Sequence, residues 1–201
     1  MKTFASFAAF LLLTASTTAA AQSAEPATAP SAATATADAA AGGPTFHLDV
    51  EVDPTAYVLN GYSLHVGLGL DRFRLDLGAY AIGMPEAFHG NEGFDASMHG
   101  FGAKLHWFAF DEQKGGFVGV GAGVGKTLVS LRDTHLATEV TSFSAGFEAG
   151  WRFDLGAGFY ATPWVSLDYG FDAKDVQLGG ETFATDEWSV FPAVHFGRRF
   201  L

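Results

Sequence analysis

The chain has 201 residues, with 22 acidic residues against 11 Lys plus Arg, and its formal net charge is −11. It contains no cysteine, which excludes disulfide bonds, thiolate metal sites and a lipid-modified cysteine. There is no basic cluster, which argues against nucleic acid as a partner, and no apolar run after the first residues is long enough for a spanning helix.

The first 44 residues divide into two segments of different composition. Residues 1–21 contain Lys2, then an apolar stretch over about 4–13, then small residues ending at Ala21. This order is typical of a secretory signal peptide that is cleaved after Ala21. Residues 22–44 are mostly Ala, Thr, Ser and Pro, which indicates a flexible leader or a tether to the cell wall or a partner. We therefore expect the folded domain to cover residues 45–201.

From residue 45 onward, apolar and polar residues alternate in eight segments. This period of two predicts eight β-strands, each with one apolar face and one polar face. The segments are 46–53, 62–71, 73–81, 99–110, 117–131, 142–153, 159–171 and 188–200. In the seventh segment, Pro163 and Trp164 suggest a bulge or a change of register.

The fifth segment has glycine at every second position from Gly119 to Gly125. A Walker loop would need a glycine at Val120, and the dinucleotide fingerprint would need one at Val124 or Lys126. A nucleotide-binding loop is therefore not supported. A bare glycine face favours a sheet that curls tightly and leaves room for large side chains from neighbouring strands.

The eight strands are compatible with a soluble barrel whose apolar face points inward or with a membrane barrel whose apolar face points outward. Charges and glycines share the polar faces, and this favours a polar interior in which opposite charges pair. We expect Lys104 and Lys126 near Glu148. The predicted interior charges are Asp49, Glu51, Arg74, Asp76, Lys104, Lys126, Glu148, Arg152 and Asp168.

Aromatic residues gather near both ends of the strands, with Leu, Val and Ala between them. Such a double girdle is typical of an outward face that crosses a bilayer. One predicted girdle contains Trp107, Phe117, Trp151, Phe153, Phe196 and Phe200, and the other contains Tyr62, Phe101, Phe143, Tyr169, Phe171 and Trp188.

The connections after the second, fourth and sixth strands are short, whereas those around 54–61, 84–98, 132–139 and 172–186 are longer. Short turns in the periplasm and longer loops outside the cell would place both termini in the periplasm. We therefore predict an all-β fold, a single closed eight-stranded antiparallel up-and-down transmembrane β-barrel.

With this pattern, residues 45–201 resemble the small outer-membrane β-barrel superfamily, which includes the transmembrane domain of outer membrane protein A and outer membrane protein X. The resemblance implies a Gram-negative outer membrane, with lipid and lipopolysaccharide around the barrel. It also implies that the barrel-assembly machinery recognises the last strand through Val190, Val194, Phe196 and Phe200. Arg198 in an apolar position and Leu201 after the last phenylalanine depart from the family's pattern.

The expected function is a structural or surface-interaction role through the extracellular loops. We expect no open pore, because eight strands enclose only enough space for side chains, and no enzymatic activity, cofactor or metal. Two alternatives stay open: a secreted soluble ligand-binding β-barrel, and a lipid A-modifying enzyme. The base of such an enzyme would be His99, near Ser97 on the fourth strand, or His135, near Glu139 at the third long loop. Carboxylates that could hold Ca²⁺ are Asp168, Asp172, Asp175 and Glu181.

Overall fold

A computed structural model describes residues 44–200. The predicted signal peptide, nearly all of the predicted leader and Leu201 lie outside the described residues. Within 44–200 the helices are short: α1 (Pro54–Val58), α2 (Glu86–His89) and one 3-10 turn (Asp111–Gln113). None of them has the length and apolar character that a membrane-crossing helix needs.

Eight strands form a closed barrel in which every strand pairs antiparallel with its neighbours, and the last strand closes the ring against the first. This confirms the predicted all-β, eight-stranded antiparallel fold. A separate two-stranded hairpin lies in the connection between the last two strands of the barrel. The strands are β1 (Phe46–Val52), β2 (Tyr62–Leu70), β3 (Phe73–Met84), β4 (Phe94–Phe108), β5 (Gly115–Leu131), β6 (Ala137–Gly156), β7 (Phe159–Gly170), β8 (Val176–Leu178), β9 (Glu181–Phe183) and β10 (Trp188–Arg199).

The two ends of the barrel differ in their connections. At one end, which we call the turn end, the chain enters β1, leaves β10 and makes three short connections, 71–72, 109–114 and 157–158. At the other, the loop end, lie the connections 53–61, 85–93, 132–136 and 171–187. Three of these four are longer than any connection at the turn end, as the sequence predicts, whereas 132–136 is shorter than 109–114.

The apolar faces of the strands point outward. On β2, Leu64 is 51% exposed and its neighbour Ser63 is 2% exposed. The same alternation on β3 leaves Leu75 exposed while Arg74 and Asp76 are buried. The barrel therefore has a polar interior and an apolar exterior, and the soluble ligand-binding alternative requires the opposite facing.

The seventh strand does not change register at its proline. Pro163 faces outward opposite Val194, and β7 pairs with β10 without interruption from Phe159 to Tyr169. The register shift lies instead between Asp154 and Gly156, beside the β6–β7 turn. The predicted bulge or change of register at Pro163 and Trp164 is therefore wrong, because the β7–β10 ladder is unbroken there. The β6–β7 ladder is interrupted at Thr162 and Pro163 without a change of register, since proline has no N–H to donate.

Candidate functional site

The barrel interior is organised around the buried guanidinium of Arg74 on β3. Its Nη2 lies 2.6 Å from Asp49 Oδ1 and 3.3 Å from Glu51 Oε2, and its Nη1 lies 2.7 Å from Asp76 Oδ2. All four side chains are 2% exposed or less. Taking a charge out of water is costly unless it is paired and hydrogen-bonded, so this arrangement depends on every member being present.

A second arginine, Arg152 on β6, shares the same carboxylates. Its Nη2 donates to Glu51 Oε1 at 2.8 Å, and its Nη1 lies 3.8 Å from Asp49 Oδ2. Its guanidinium lies over the rings of Phe108 and Tyr160, at 4.9 and 4.1 Å from their centroids. Arg152 thus ties β6 to β1 across the barrel.

The third cation, Lys104 on β4, lies closer to the loop end. Lys104 Nζ donates to Glu148 Oε2 at 2.8 Å and lies 3.5 Å from the centroid of Trp164. The second oxygen of Glu148 contacts His106 Nε2. Trp164 faces inward and packs edge-on against His195, so an aromatic ring and ion pairs fill this level of the barrel together.

Two more histidines complete what we call the interior network. His65 Nδ1 lies 2.7 Å from Asp76 Oδ1, His195 Nδ1 lies 3.1 Å from Glu51 Oε2, and the two rings lie 4.6 Å apart. The sequence analysis did not include these histidines in the network. The signal was present, because His65, His106 and His195 all occupy the polar side of the alternation. The interior network consists of Asp49, Glu51, His65, Arg74, Asp76, Lys104, His106, Glu148, Arg152 and His195.

Glycines on neighbouring strands make room for these large side chains. A Cβ at Gly67 would collide with the guanidinium of Arg74 and the carboxylate of Asp49, and one at Gly78 would collide with the ring of His65. The bare glycine positions of the polar faces are therefore matched to long charged side chains opposite them.

Of the nine predicted interior charges, the structure brings seven into the interior network. Asp168 also faces inward, but its Oδ2 accepts from Ser166 Oγ at 2.5 Å, and it has no cationic partner within residues 44–200. The placement of Lys126 is wrong. It has the same parity along β5 as Val120 and Val124, so it points outward, where its Nζ lies 2.6 Å from Glu139 Oε1.

The girdle placement of Phe117 is also wrong. Phe117 shares the inward parity of the glycines of β5 and is 5% exposed, with its ring 5.2 Å from that of Phe108 and 4.8 Å from that of His106. The other aromatic residues of the predicted girdles lie on the outer face of the barrel. They are Tyr62, Phe101, Trp107, Phe143, Trp151, Phe153, Tyr169, Phe171, Trp188, Phe196 and Phe200.

Beyond Phe101, Val124 and Phe143, the strands at the loop end reverse their polarity. On β4, the outward residues from Phe101 toward the turn end are apolar. On the loop-end side of Phe101, the outward residues are Asp95, Ser97 and His99, and the inward ones become apolar. The same change on β5 places Lys126 outside and Val129 inside. The row through Phe101 and Phe143 therefore marks the limit of the apolar outer band.

Past this limit, the strands and loops build a small core of their own. Phe94, Val129 and Phe183 are buried together, and the ring of Phe183 meets that of Phe94 edge-on at 5.6 Å. Ala96, Leu131, Val176 and Leu178 pack around them. We call this unit, made from the loop ends of β4 and β5, α2, and the β8–β9 hairpin, the loop cap.

Polar contacts hold the outside of the loop cap. The guanidinium of Arg132 lies 3.1 Å from Asp95 Oδ1 and 3.3 Å from Glu86 Oε2, and hydrogen bonds to these two carboxylates raise the pKa of Arg132. The side chain of Asn91 exchanges two hydrogen bonds with the backbone of Ala184. These contacts join the β3–β4 and β5–β6 connections to the chain that follows β9.

His89 packs against the hairpin in its neutral form. Its ring lies 5.1 Å from that of Phe183, and its Nδ1 accepts from the backbone N–H of Asn91 at 3.1 Å. Burial lowers the pKa of His89, and the nearby Arg132 acts in the same direction against Glu86 and Asp95.

The residues considered for catalysis lie at the loop end. Ser97 and His99 both point outward from β4, Glu139 holds Lys126, and His135 is exposed in the β5–β6 connection. The hydrogen bonds of residues 44–200 include none among Ser97, His99, His135 and Glu139. Within that same range no three His, Asp or Glu side chains are grouped so as to hold a metal ion. Of the carboxylates considered for Ca²⁺, Asp168 faces the interior, whereas Asp175 accepts from the backbone of Thr185.

No protein-family model matches the chain, and no curated protein matches it. Among solved structures, it is similar to the N-terminal β-barrel domain of OprF from Pseudomonas aeruginosa, with 14% identity, 78% of this chain and 99% of that chain covered, and a TM-score of 0.45. It is similar to Neisserial surface protein A (NspA), with 14% identity, coverage of 79% and 98%, and a TM-score of 0.44. It is also similar to a major outer membrane protein from Thermus thermophilus, with 9% identity, coverage of 79% and 100%, and a TM-score of 0.45.

Proposed function

We propose that the protein is an integral outer-membrane β-barrel protein of a Gram-negative bacterium, with a structural or surface-interaction role. The observation that carries the proposal is the facing of the wall: large apolar side chains cover the outside, and paired charges fill the inside. Water would not favour such a surface, whereas a bilayer requires it, and a closed ring leaves no unpaired strand edge in lipid.

In this proposal the turn end faces the periplasm and the loop end faces outward, next to lipopolysaccharide. Support comes from the connections, since outer-membrane barrels have short periplasmic turns and longer extracellular loops. The exposed Val190, Phe196 and Phe200, together with the partly exposed Val194, would form the signal for the barrel-assembly machinery.

The proposed barrel does not conduct solutes. The interior network crosses the lumen from β1 to β6, and an eight-stranded barrel has little space beyond its side chains. Purified protein in planar bilayers is expected to show no stable single-channel steps. Ohmic steps of porin size would contradict this part of the proposal.

The proposed contact surface is the loop cap. It has its own buried core and polar ties, so it presents a defined shape at the tips of the longest strands. Deleting residues 172–186 is expected to remove surface interactions while the barrel still assembles. Loss of the barrel itself in this variant would show that the hairpin is needed for folding instead.

The proposed role is not catalytic, and no assigned residue has to be positioned for chemistry. Mass spectrometry of lipid A from cells that overexpress the protein is expected to show no change. A new deacylated or acylated species would contradict the assignment, and His99→Gln and His135→Gln would then identify the base.

The first experiment is fractionation of the cell envelope, with boiled and unboiled samples compared on an SDS gel. Recovery in the outer membrane and faster migration before boiling are the expected results, because a closed barrel resists detergent until it is heated. Recovery as a soluble periplasmic protein would overturn the proposal.

A further inference from the structure

The turn end of the barrel contains a second concave site, away from the loop cap. It is a pocket of about 270 Å³, including its open mouth, whose charged lining is Lys114, Arg152, Asp154 and Arg199. Tyr160 lines the same pocket. Three cations against one carboxylate is an unusual balance for a chain whose net charge is −11.

The pocket has hydrogen-bond donors without acceptors. Nε and Nη1 of Arg152, the hydroxyl of Tyr160 and Nε of Arg199 are all buried with no hydrogen-bond partner among the residues that the structure describes. Arg152 is 3% exposed and Tyr160 is 4% exposed, so bulk water does not easily satisfy these groups. Buried polar groups are nearly always paired, so several orphaned donors on three neighbouring residues indicate a missing acceptor.

The cationic side chains of the pocket also differ in how many carboxylates pair with them. Arg152 shares Glu51 and Asp49 with Arg74, and Lys114 lies 2.8 Å from Glu112 and 3.1 Å from Asp154. Arg199, in contrast, has no carboxylate within 4 Å in residues 44–200, although Asp154 lines the same pocket. Its guanidinium is therefore not held in an ion pair by the residues that the structure describes.

The pocket is built by specific local features. A Cβ at Gly197 would collide with the ring of Tyr160, so this glycine allows the phenol to lie against β10. Gly158 has φ +80° and leaves the mouth of the pocket without a side chain at this position. Its carbonyl accepts a hydrogen bond from the backbone N–H of Arg199 at 2.8 Å. The guanidinium carbon of Arg152 lies over the Tyr160 ring, 4.1 Å from its centroid.

We propose that this pocket binds a phosphoryl oxyanion at the turn end of the barrel, through Arg199, Arg152 and the hydroxyl of Tyr160. An oxyanion brings only acceptors and negative charge, which are the two things that the pocket lacks, and guanidinium groups bind phosphate in charge-assisted pairs. The phosphate can come from solution or from the headgroup of an anionic phospholipid in the adjacent leaflet. The site is independent of any role of the loop cap.

The test uses the purified full chain, refolded in a neutral detergent, with inorganic phosphate as the probe. Calorimetric titration and the midpoint of thermal unfolding are measured for the wild type, Arg199→Gln and Tyr160→Phe. Arg198→Gln is the matched control, because Arg198 is the adjacent residue on β10 but points outward over Phe159 and Phe200.

Phosphate is expected to bind and to raise the midpoint for the wild type and Arg198→Gln. Arg199→Gln should weaken binding about tenfold or more, because a charged hydrogen-bond donor is lost. Tyr160→Phe keeps the ring and should weaken binding by a smaller factor. Faster gel migration of the unboiled variants checks that each barrel is closed.

An absence of phosphate binding to the folded wild type would overturn the proposal, as would equal binding by Arg199→Gln, Tyr160→Phe and the wild type. Repeating the titration in phosphatidylcholine vesicles with and without phosphatidylglycerol separates the two sources. Binding of free phosphate that phosphatidylglycerol suppresses identifies the lipid headgroup as the ligand, and binding that is the same in both vesicles identifies free phosphate.

Discussion

The wall of the barrel and the loop cap place their apolar side chains on opposite faces of the same strands. In the wall, the outward residues of β4 and β5 are apolar, and the inward ones are mostly glycine or polar, apart from Phe108 and Phe117. In the loop cap, the inward residues Phe94 and Val129 form a buried apolar core, whereas Asp95 and Lys126 point outward. The strands continue without interruption across the change, so backbone geometry does not cause it.

The alternation of apolar and polar residues therefore carries two separate kinds of information. The period of two defines a strand, and the identity of the apolar face defines the surrounding solvent. Where the apolar face switches sides along one strand, the proposed membrane ends. The wall then depends on buried ion pairs for its inner packing, and the loop cap depends on apolar burial as a soluble protein does.

The largest expected effect comes from Arg74→Met, which removes the cation shared by Asp49, Glu51 and Asp76. Three buried carboxylates would lose a partner, so the barrel should be destabilised by about 3–5 kcal/mol or fail to close. Urea unfolding in detergent micelles, followed by the gel shift on heating, measures the loss.

Arg72→Met is the matched control for this experiment. Arg72 lies 2.8 Å from Asp111, but both side chains are largely exposed at the turn end, so the change should cost no more than about 1 kcal/mol. Adding Asp49→Asn and Asp76→Asn to Arg74→Met should recover part of the stability, because the uncompensated charges are then gone. Equal stability of the two arginine variants would contradict the importance of the interior network.

The second prediction concerns the loop cap. Phe183→Ala removes the central ring of its core, and a buried Phe→Ala change costs about 3–5 kcal/mol. We expect this loss to open the β8–β9 hairpin and leave the barrel closed. Limited proteolysis within 171–187 should become faster, with no change in the migration of the unboiled protein.

Phe171→Ala serves as the control for the hairpin. Phe171 belongs to the same connection but is 62% exposed, so its loss should leave the rate of proteolysis nearly unchanged. If Phe183→Ala prevented barrel closure, the wall and the loop cap would form one cooperative unit, and their stabilities would not be separate.

Much of the wall could be predicted from the sequence, because alternation is a local property. Strand number, facing and the order of short and long connections all follow from it. The predictions for Lys126 and Phe117 were wrong because they followed residue type and not the position of each residue in the alternation along β5. Lysine was assigned to the interior and phenylalanine to lipid, although each has the opposite parity along β5.

The loop cap could not be predicted in the same way. Its core joins Phe94, Val129 and Phe183 from three distant parts of the chain, and β8 and β9 have only three residues each, too few for a period to be recognised. Two of the three carboxylate partners of Arg74 are likewise non-local, since Asp49 and Glu51 lie on β1 and Arg74 lies on β3. Alternation places such residues inside the barrel, but it does not say which ones meet.

The third prediction locates the limit of the apolar band on a single face of β5. Val120→Arg places a charge among outward residues near the middle of the band, at an expected cost of about 2–4 kcal/mol. Leu128→Arg changes the same face of the same strand beyond the polarity switch, beside Glu139 on β6, where the cost should be about 0–1 kcal/mol. Unfolding in lipid vesicles compares the two, and equal costs would place the boundary elsewhere.

The smallest expected effect is a pH dependence confined to the loop cap. Burial lowers the pKa of His89 in the folded cap below its ordinary value of 6.5, so the opened cap takes up a proton that the closed cap does not. Stability of the cap should therefore fall as pH decreases through 6.5, until pH lies below the folded pKa. Protonation also removes the acceptor that Nδ1 offers to the N–H of Asn91.

Proteolysis of 171–187 across this pH range should accelerate in the wild type and in His135→Gln, which changes an exposed loop histidine. The acceleration should be much smaller in His89→Gln. An identical pH profile for His89→Gln would show that His89 is not the source of the acid sensitivity.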